Sequence, residues 1–197
     1  MKRIIIATNN KGKIEELKKM LEGYEVISQR EAGIEIDPEE NGLTFAQNAI
    51  IKAEAIRELV SDSIIVAEDS GIMIDALDGY PGTKTKRAAV EELGHDVTEE
   101  ERYNLILEKM KGIENRKIIW QTAICMIYEG ENNVFIGEVN GLVNDKLEGT
   151  NGFGFDPIFY IPEENKTLAQ MNFEEKSKYS ARKRAILKMI KFLNEKL

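Results

Sequence analysis

The stretch Ile64-Ile65-Val66-Ala67-Glu68-Asp69-Ser70-Gly71 decides how this chain is read. Its first four residues form a short apolar run, the pattern of a strand buried on both faces. Two acids, a hydroxyl and a glycine then arrive together, where such a strand is expected to run out. Adjacent carboxylates repel each other and are best tolerated where a cation bridges them or one of them works as a base. The competing reading is a polar turn, with Asp69 and Ser70 bonding their own backbone and Gly71 at positive φ. The flanking sequence has to choose between the two.

Upstream, Arg3 to Ala7 reads as the first strand and Thr8-Asn9-Asn10-Lys11-Gly12-Lys13 follows directly. An amphipathic helix is expected from about Ile14, with Leu17, Met20 and Leu21 on one face and Gly23 at its end. Strand, polar loop with lysines, helix: this order aims backbone N–H groups and a helix N-terminus at whatever sits above the strand. Lys13 adds a full charge. The spacing of a Walker loop is absent. The plainer alternative is a helix start capped by Asn and Thr. Tyr24 to Ile27 is a candidate second strand, and residues 35–41 form an acidic loop holding Pro38. Thr44 with Gln47 opens the next helix, in which Phe45, Ala49, Ala53, Ile56 and Val60 recur at helical spacing. Glu39 and Glu40 precede it, where acids favour a helix N-terminus in any case. Lys52 lies mid-helix, ordinarily a solvated position.

Downstream, Gly79-Tyr80-Pro81-Gly82 is a strong turn leading into the basic cluster Thr83-Lys84-Thr85-Lys86-Arg87, either a solvated loop or a phosphate contact. Thr98 and Glu101 cap a further helix carrying Tyr103, Ile106, Leu107 and Met110. Lys117 to Tyr128 is a β-rich run; residues 130–133 read as a turn and Val134 to Val139 as the returning strand. Trp120 reads as core. Gly149 to Pro157 is glycine-rich, and its Phe153 and Phe155 could stack on a flat ring or face the core. A last helix carries Ala185, Ile186, Met189, Ile190 and Leu193, with Lys176 and Arg182 near its start as anion contacts or a solvated basic face. The first part looks βα-wound and the middle antiparallel, so a mixed sheet in two lobes with a cleft is expected.

The whole chain narrows the classes. Its 197 residues suffice for one large domain or two small lobes. A net charge of −8 argues against a general nucleic-acid or membrane-surface binder, though not against a phosphate ligand met by local cations. The apolar run Ile4 to Ala7 is too short for a signal peptide or a membrane span. A single cysteine, Cys125, excludes an internal disulfide framework and suits a reducing cytoplasm; its apolar setting marks a buried structural thiol. The lone histidine, His95, reads as a loop residue.

Together the stretches resemble the inosine triphosphate pyrophosphatase family. The resemblance rests on residues 7–13, on Glu39-Glu40-Asn41-Gly42-Leu43-Thr44-Phe45 with Asn48-Ala49 and Lys52-Ala53, and on Glu68-Asp69-Ser70-Gly71. It continues through Asp75-Ala76-Leu77, Gly79-Tyr80-Pro81-Gly82, Gly152-Phe153-Gly154-Phe155-Asp156-Pro157-Ile158-Phe159 and Glu175-Lys176-Ser177, in the family's order. It implies one α/β domain over residues 1–197: an elongated mixed sheet with flanking helices, in two lobes with the nucleotide cleft between them, assembled as a homodimer. It implies Mg²⁺-dependent hydrolysis of ITP, dITP or XTP to the monophosphate and pyrophosphate, clearing these from the nucleotide pool.

Carried over, Thr8, Asn9, Asn10, Lys11, Gly12 and Lys13 would cradle the triphosphate. Glu39 and Asp69 would hold the metal, with Glu40 exchanging for Glu39 on a one-residue shift. Asp69 would also take the proton of the attacking water, and Ser70 would touch substrate. Lys52 and Lys176 would bind phosphates. Phe153, Gly154, Phe155 and Asp156 would hold the base, and Ala181 and Arg182 would lie at its 6-oxo edge. One departure matters: Ser180-Ala181-Arg182 stands where the family has Ser-His-Arg. Alanine cannot donate a hydrogen bond, and a lost contact of that kind costs about 1–3 kcal/mol, so loosened or shifted base selectivity is expected. The roles of Lys86 and Arg87 stay open, because the family's Tyr-Ser-Ala-Arg is absent after the Pro-Gly turn. A nucleotide-binding module without turnover is the reading from another class.

Overall fold

A computed structural model describes residues 3–60, 62–85, 87–152 and 154–196. Lys86 and Phe153 lie outside the described residues. The chain runs β1 (Arg3–Ile6), α1 (Lys11–Met20), β2 (Glu25–Ser28), α2 (Phe45–Arg57), β3 (Ile64–Ile74) and β4 (Tyr80–Pro81). It continues through α3 (Ala88–Leu93), α4 (Glu99–Lys109), β5 (Lys117–Tyr128), β6 (Glu131–Val143), β7 (Phe159–Ile161), β8 (Lys166–Thr167), α5 (Phe173–Ser177) and α6 (Ala181–Lys196). Among the described residues eight strands join one sheet in the order β2-β1-β3-β5-β6-β7-β8, with β4 on β3. β1 pairs parallel with β2 and β3, whereas β3–β4, β6–β7 and β7–β8 are antiparallel. The expected mixed α/β sheet with flanking helices is borne out.

The chain forms two compact units. The first comprises residues 1–70, 122–137 and 181–197, the second 71–121 and 138–180. In the first, the strand pleat sorts side chains onto two faces. Ile4, Ile6, Ile64 and Val66 pack with Leu17 of α1 and with Ala185, Ile186, Met189 and Leu193 of α6. Ile5, Ala7, Ile65 and Ala67 pack instead with Ala49, Ala53 and Ile56 of α2, beside Cys125. In the second unit, Tyr103 of α4 meets Phe155 edge to face and Trp120 of β5 lies against Phe159 of β7.

Several elements differ from expectation. β3 does not stop at Ala67; it continues for eleven residues, so Glu68 and Asp69 are mid-strand. Charges are admitted there because helices on either face supply partners. α1 begins at Lys11, three residues early, because Asn10 caps it by accepting the Lys13 N–H at 3.1 Å. The β5–β6 turn is only Glu129-Gly130, at φ 52° and 83°, the tight hairpin geometry whose twist matches its strands. Asn132 and Asn133 therefore belong to β6. Trp120 is half-buried rather than core. Lys176 sits in a helix of its own, α5, ahead of α6. Among the described residues no helix is long and apolar enough to cross a membrane.

Candidate active site

Strand alternation answers the repulsion between Glu68 and Asp69. Successive side chains leave a strand on opposite faces. Glu68 points to the α1/α6 face and Asp69 to the α2 face, so each meets its own cations.

Glu68 is 2% exposed. It takes Lys13 Nζ of α1 at 2.7 Å, and both its oxygens accept Arg182 Nε of α6 at 3.0 Å. Arg182 Nη1 in turn donates to Glu16 at 3.0 Å. Burial alone would raise the Glu68 pKa; the charges of Lys13 and Arg182 outweigh it and hold the carboxyl below its usual range. Glu68 is thus an anion near neutral pH that fixes two cations.

Asp69 has a different environment. Asn48 Nδ2 of α2 donates to its Oδ2 at 2.9 Å, and Lys52 Nζ lies 3.6 Å from Oδ1. Lys52 also donates to Glu40 Oε2 at 3.1 Å. Burial raises the Asp69 pKa; Lys52 and Asn48 oppose this, and the neighbouring Glu40 charge adds to it. A carboxylate made more basic beside an ammonium and a second carboxylate can take a proton. Lys52 is not a solvated surface lysine, with a side chain only 14% exposed. Of the two candidate acids, the structure brings Glu40 to Asp69, while Glu39 is exposed. Among the described residues no three acids, imidazoles or thiols converge. A cation here would receive the two carboxylates Glu40 and Asp69 and complete its shell with water and phosphate, the ligand set of Mg²⁺.

The loop before α1 lies in the same unit. Thr8 Oγ1 accepts the Asn10 N–H at 3.2 Å, Asn9 to Gly12 are exposed, and the Lys11 and Gly12 amides open the helix. A Cβ on Gly12 would meet nothing nearer than Asn10 Oδ1 at 3.5 Å, so the fold does not demand glycine there. Its absent side chain leaves room over the Lys11 and Gly12 amides, for which the helix itself offers no carbonyl. Ser70 is half-buried beside Asp69, and Ala181 is buried at the start of α6.

The base-loop residues belong to the second unit. Phe155 is buried rather than presented for stacking, and Asp156 is fully buried in an ion pair with Lys176. Lys176 is therefore paired with Asp156, one of the residues expected at the base. Half-buried Trp120 borders Gly154: a Cβ there would lie 3.7 Å from the indole. Asn48 and Glu16 were given no role by the sequence reading. The available signal for Asn48 was its place one turn before Lys52, four residues apart on one helix face.

The chain matches the Ham1 family over residues 4–192. It is 40% identical over 202 aligned positions to a dITP/XTP pyrophosphatase of Caldanaerobacter subterraneus subsp. tengcongensis, covering all of this chain and 98% of the relative. It is 39% identical to a dITP/XTP pyrophosphatase of Bacillus subtilis (strain 168), covering 98% of each. The solved structure of the Staphylococcus aureus Ham1 protein superposes with a TM-score of 0.91 at 37% identity over the full length of both chains. That of a HAM1 protein from Coxiella burnetii gives 0.87 at 32% identity, over 99% of this chain and all of the other.

Proposed function

The chain belongs to the Ham1 family, and from that premise we propose that Asp69, Glu40, Lys52 and Lys13 carry its chemistry. The protein is a nucleoside triphosphate pyrophosphatase acting on non-standard purine nucleotides such as dITP and XTP. The observation that supports the site best is the convergence of Glu40 and Asp69 on Lys52, on the strand face opposite the Lys13–Glu68–Arg182 cluster.

A triphosphate brings about four negative charges to a protein whose own net charge is −8, so local cations must hold it. Lys13 and Lys52 supply them, with the Lys11 and Gly12 amides and Thr8, Asn9 and Asn10 lining the loop. Glu40 and Asp69 would hold Mg²⁺, which when bound neutralises phosphate charge and polarises the phosphoryl oxygens. Asp69 orients a water and takes its proton as the water oxygen bonds the α-phosphorus. The bond from that phosphorus to the bridging oxygen breaks and its electrons leave with pyrophosphate. Positioning and charge neutralisation supply most of the acceleration.

Base choice follows from hydrogen-bond sense. A 6-oxo purine accepts where adenine donates, so a buried donor pairs with the first and is left unpaired by the second. Carried over from the family resemblance, Phe153, Gly154, Phe155 and Asp156 would hold the base with Arg182 at its 6-oxo edge, and Lys176 would bind phosphate. Ala181 offers a methyl where a donor is expected, which favours relaxed selectivity as the second reading. We carry a homodimer over from the family resemblance and a reducing cytoplasm from the single cysteine. The deciding experiment is pyrophosphate release from dITP, ITP, XTP, dATP and dGTP, with and without Mg²⁺. We expect Mg²⁺-dependent release with the 6-oxo, non-standard purines first. Release of single phosphate only, or no turnover of any purine triphosphate, would sink the assignment. A flat ranking across bases would select the relaxed reading.

A further inference from the structure

Asn48 is fully buried and has both ends of its amide engaged. Nδ2 donates to Asp69 Oδ2 at 2.9 Å, and Oδ1 accepts the Gly42 N–H at 2.8 Å. One end of an amide donates and the other accepts, so reversing it would set like against like at both contacts. The two partners therefore fix its orientation. At Asp69 this commits Oδ2 to Asn48, while Oδ1 is the oxygen that lies toward Lys52. At the other end the amide tethers the backbone two residues past Glu40. Position 42 is closed to side chains: a Cβ there would fall 2.6 Å from Asn48 Oδ1 and 2.8 Å from Gln47 Cβ.

We propose that Asn48 is a positioning residue that turns Asp69 Oδ1 toward the reaction and, with the same side chain, sets the spacing of Glu40 from Asp69. This rests on the roles given above to Asp69 and Glu40. Groups that orient catalytic or metal-holding carboxylates act on turnover and cation affinity more than on the remote parts of a substrate. A purely structural bond between the start of α2 and its preceding loop would instead lower stability alone.

The test uses Asn48→Ala and Gly42→Ala. The second variant keeps Asn48 and displaces its amide, so it stands if the first fails to fold. kcat and KM for dITP are measured with Mg²⁺, and Mn²⁺ binding to the nucleotide-free protein is read by electron paramagnetic resonance. We expect kcat to fall about 10- to 100-fold and Mn²⁺ affinity to drop about tenfold or more, with KM for dITP within about twofold. A folded variant with wild-type kcat and Mn²⁺ affinity, or with a raised KM at unchanged kcat, overturns the proposal. Wild-type protein that fails to turn over dITP sinks the activity instead, and leaves Mn²⁺ binding to judge Asn48.

Discussion

Asp69 and Glu68 are neighbours in sequence yet should respond in opposite ways to neutralisation. Asp69 titrates above its ordinary value because burial outweighs its partners, so its charge is unfavourable to the folded state. Native protein then binds the extra proton between the ordinary and the raised pKa, and stability falls as pH rises through that window. Asp69→Asn should lose about 10²–10⁴-fold in kcat, the worth of a general base, while binding dITP and melting higher than wild type at pH 7. The gain in melting temperature should shrink as pH falls toward about 4, the ordinary Asp pKa. Wild-type turnover in this variant would refute the base assignment. Glu68 is held below its ordinary value, so its contribution is present above the usual Glu pKa and is lost as pH falls through the depressed one. Glu68→Gln should cost about 3–5 kcal/mol at pH 7, the cost of breaking a buried ion pair, and raise KM for dITP as Lys13 and Arg182 lose their anchor. Urea titrations across pH would show the deficit closing in acid; a constant deficit would mean that packing, not charge, is responsible.

At the scale of elements, the placement of α6 depends on β6. A Cβ on Gly137 would collide with the Ala181 carbonyl and fall 2.6 Å from the Ala185 amide, so strand and helix meet backbone to backbone. Gly137→Ala should cost about 1–3 kcal/mol by overpacking and should also raise KM, because Arg182 travels with the first turn of α6. An unchanged melting temperature would show that the helix yields freely. Local signals foretold many elements: Thr98 and Glu101 form the expected reciprocal cap, and Thr44 accepts the Gln47 N–H as its spacing implied. What could not be read locally was decided by distant partners. Glu68 looks like a strand end because the arginine that makes it tolerable lies 114 residues away. Whether Glu39 or Glu40 serves the site depends on which one reaches Lys52, a matter of register that two adjacent glutamates do not reveal. Helix α3 lacks a side-chain cap at Arg87 and left no start signal. Phe153 and Phe155 looked alike as stacking rings, yet Phe155 turned inward onto Tyr103.

For the molecule as a whole, the open question is whether its two units unfold as one. The chain passes between them at Ser70–Gly71, Gln121–Thr122 and Gly137–Glu138, inside β3, β5 and β6, and again at Ser180–Ala181, where α6 begins. Three strands continuous across the crossings argue for a single cooperative transition. The protein carries its own pair of reporters for this. Its one tryptophan, Trp120, belongs to the second unit, and its one cysteine, Cys125, to the first. Cys125 is fully buried and burial pushes its thiol pKa up to about 12, so it is inert until the surrounding core opens. Thiol labelling followed alongside indole emission through a urea gradient should give coincident midpoints; separated midpoints would mean that the units melt independently. Under native conditions, the rate at which Cys125 becomes labelled is a clock for the rare openings of its unit. A nucleotide that draws on Lys13, Lys52 and Asp69 should slow that clock even where no product is formed.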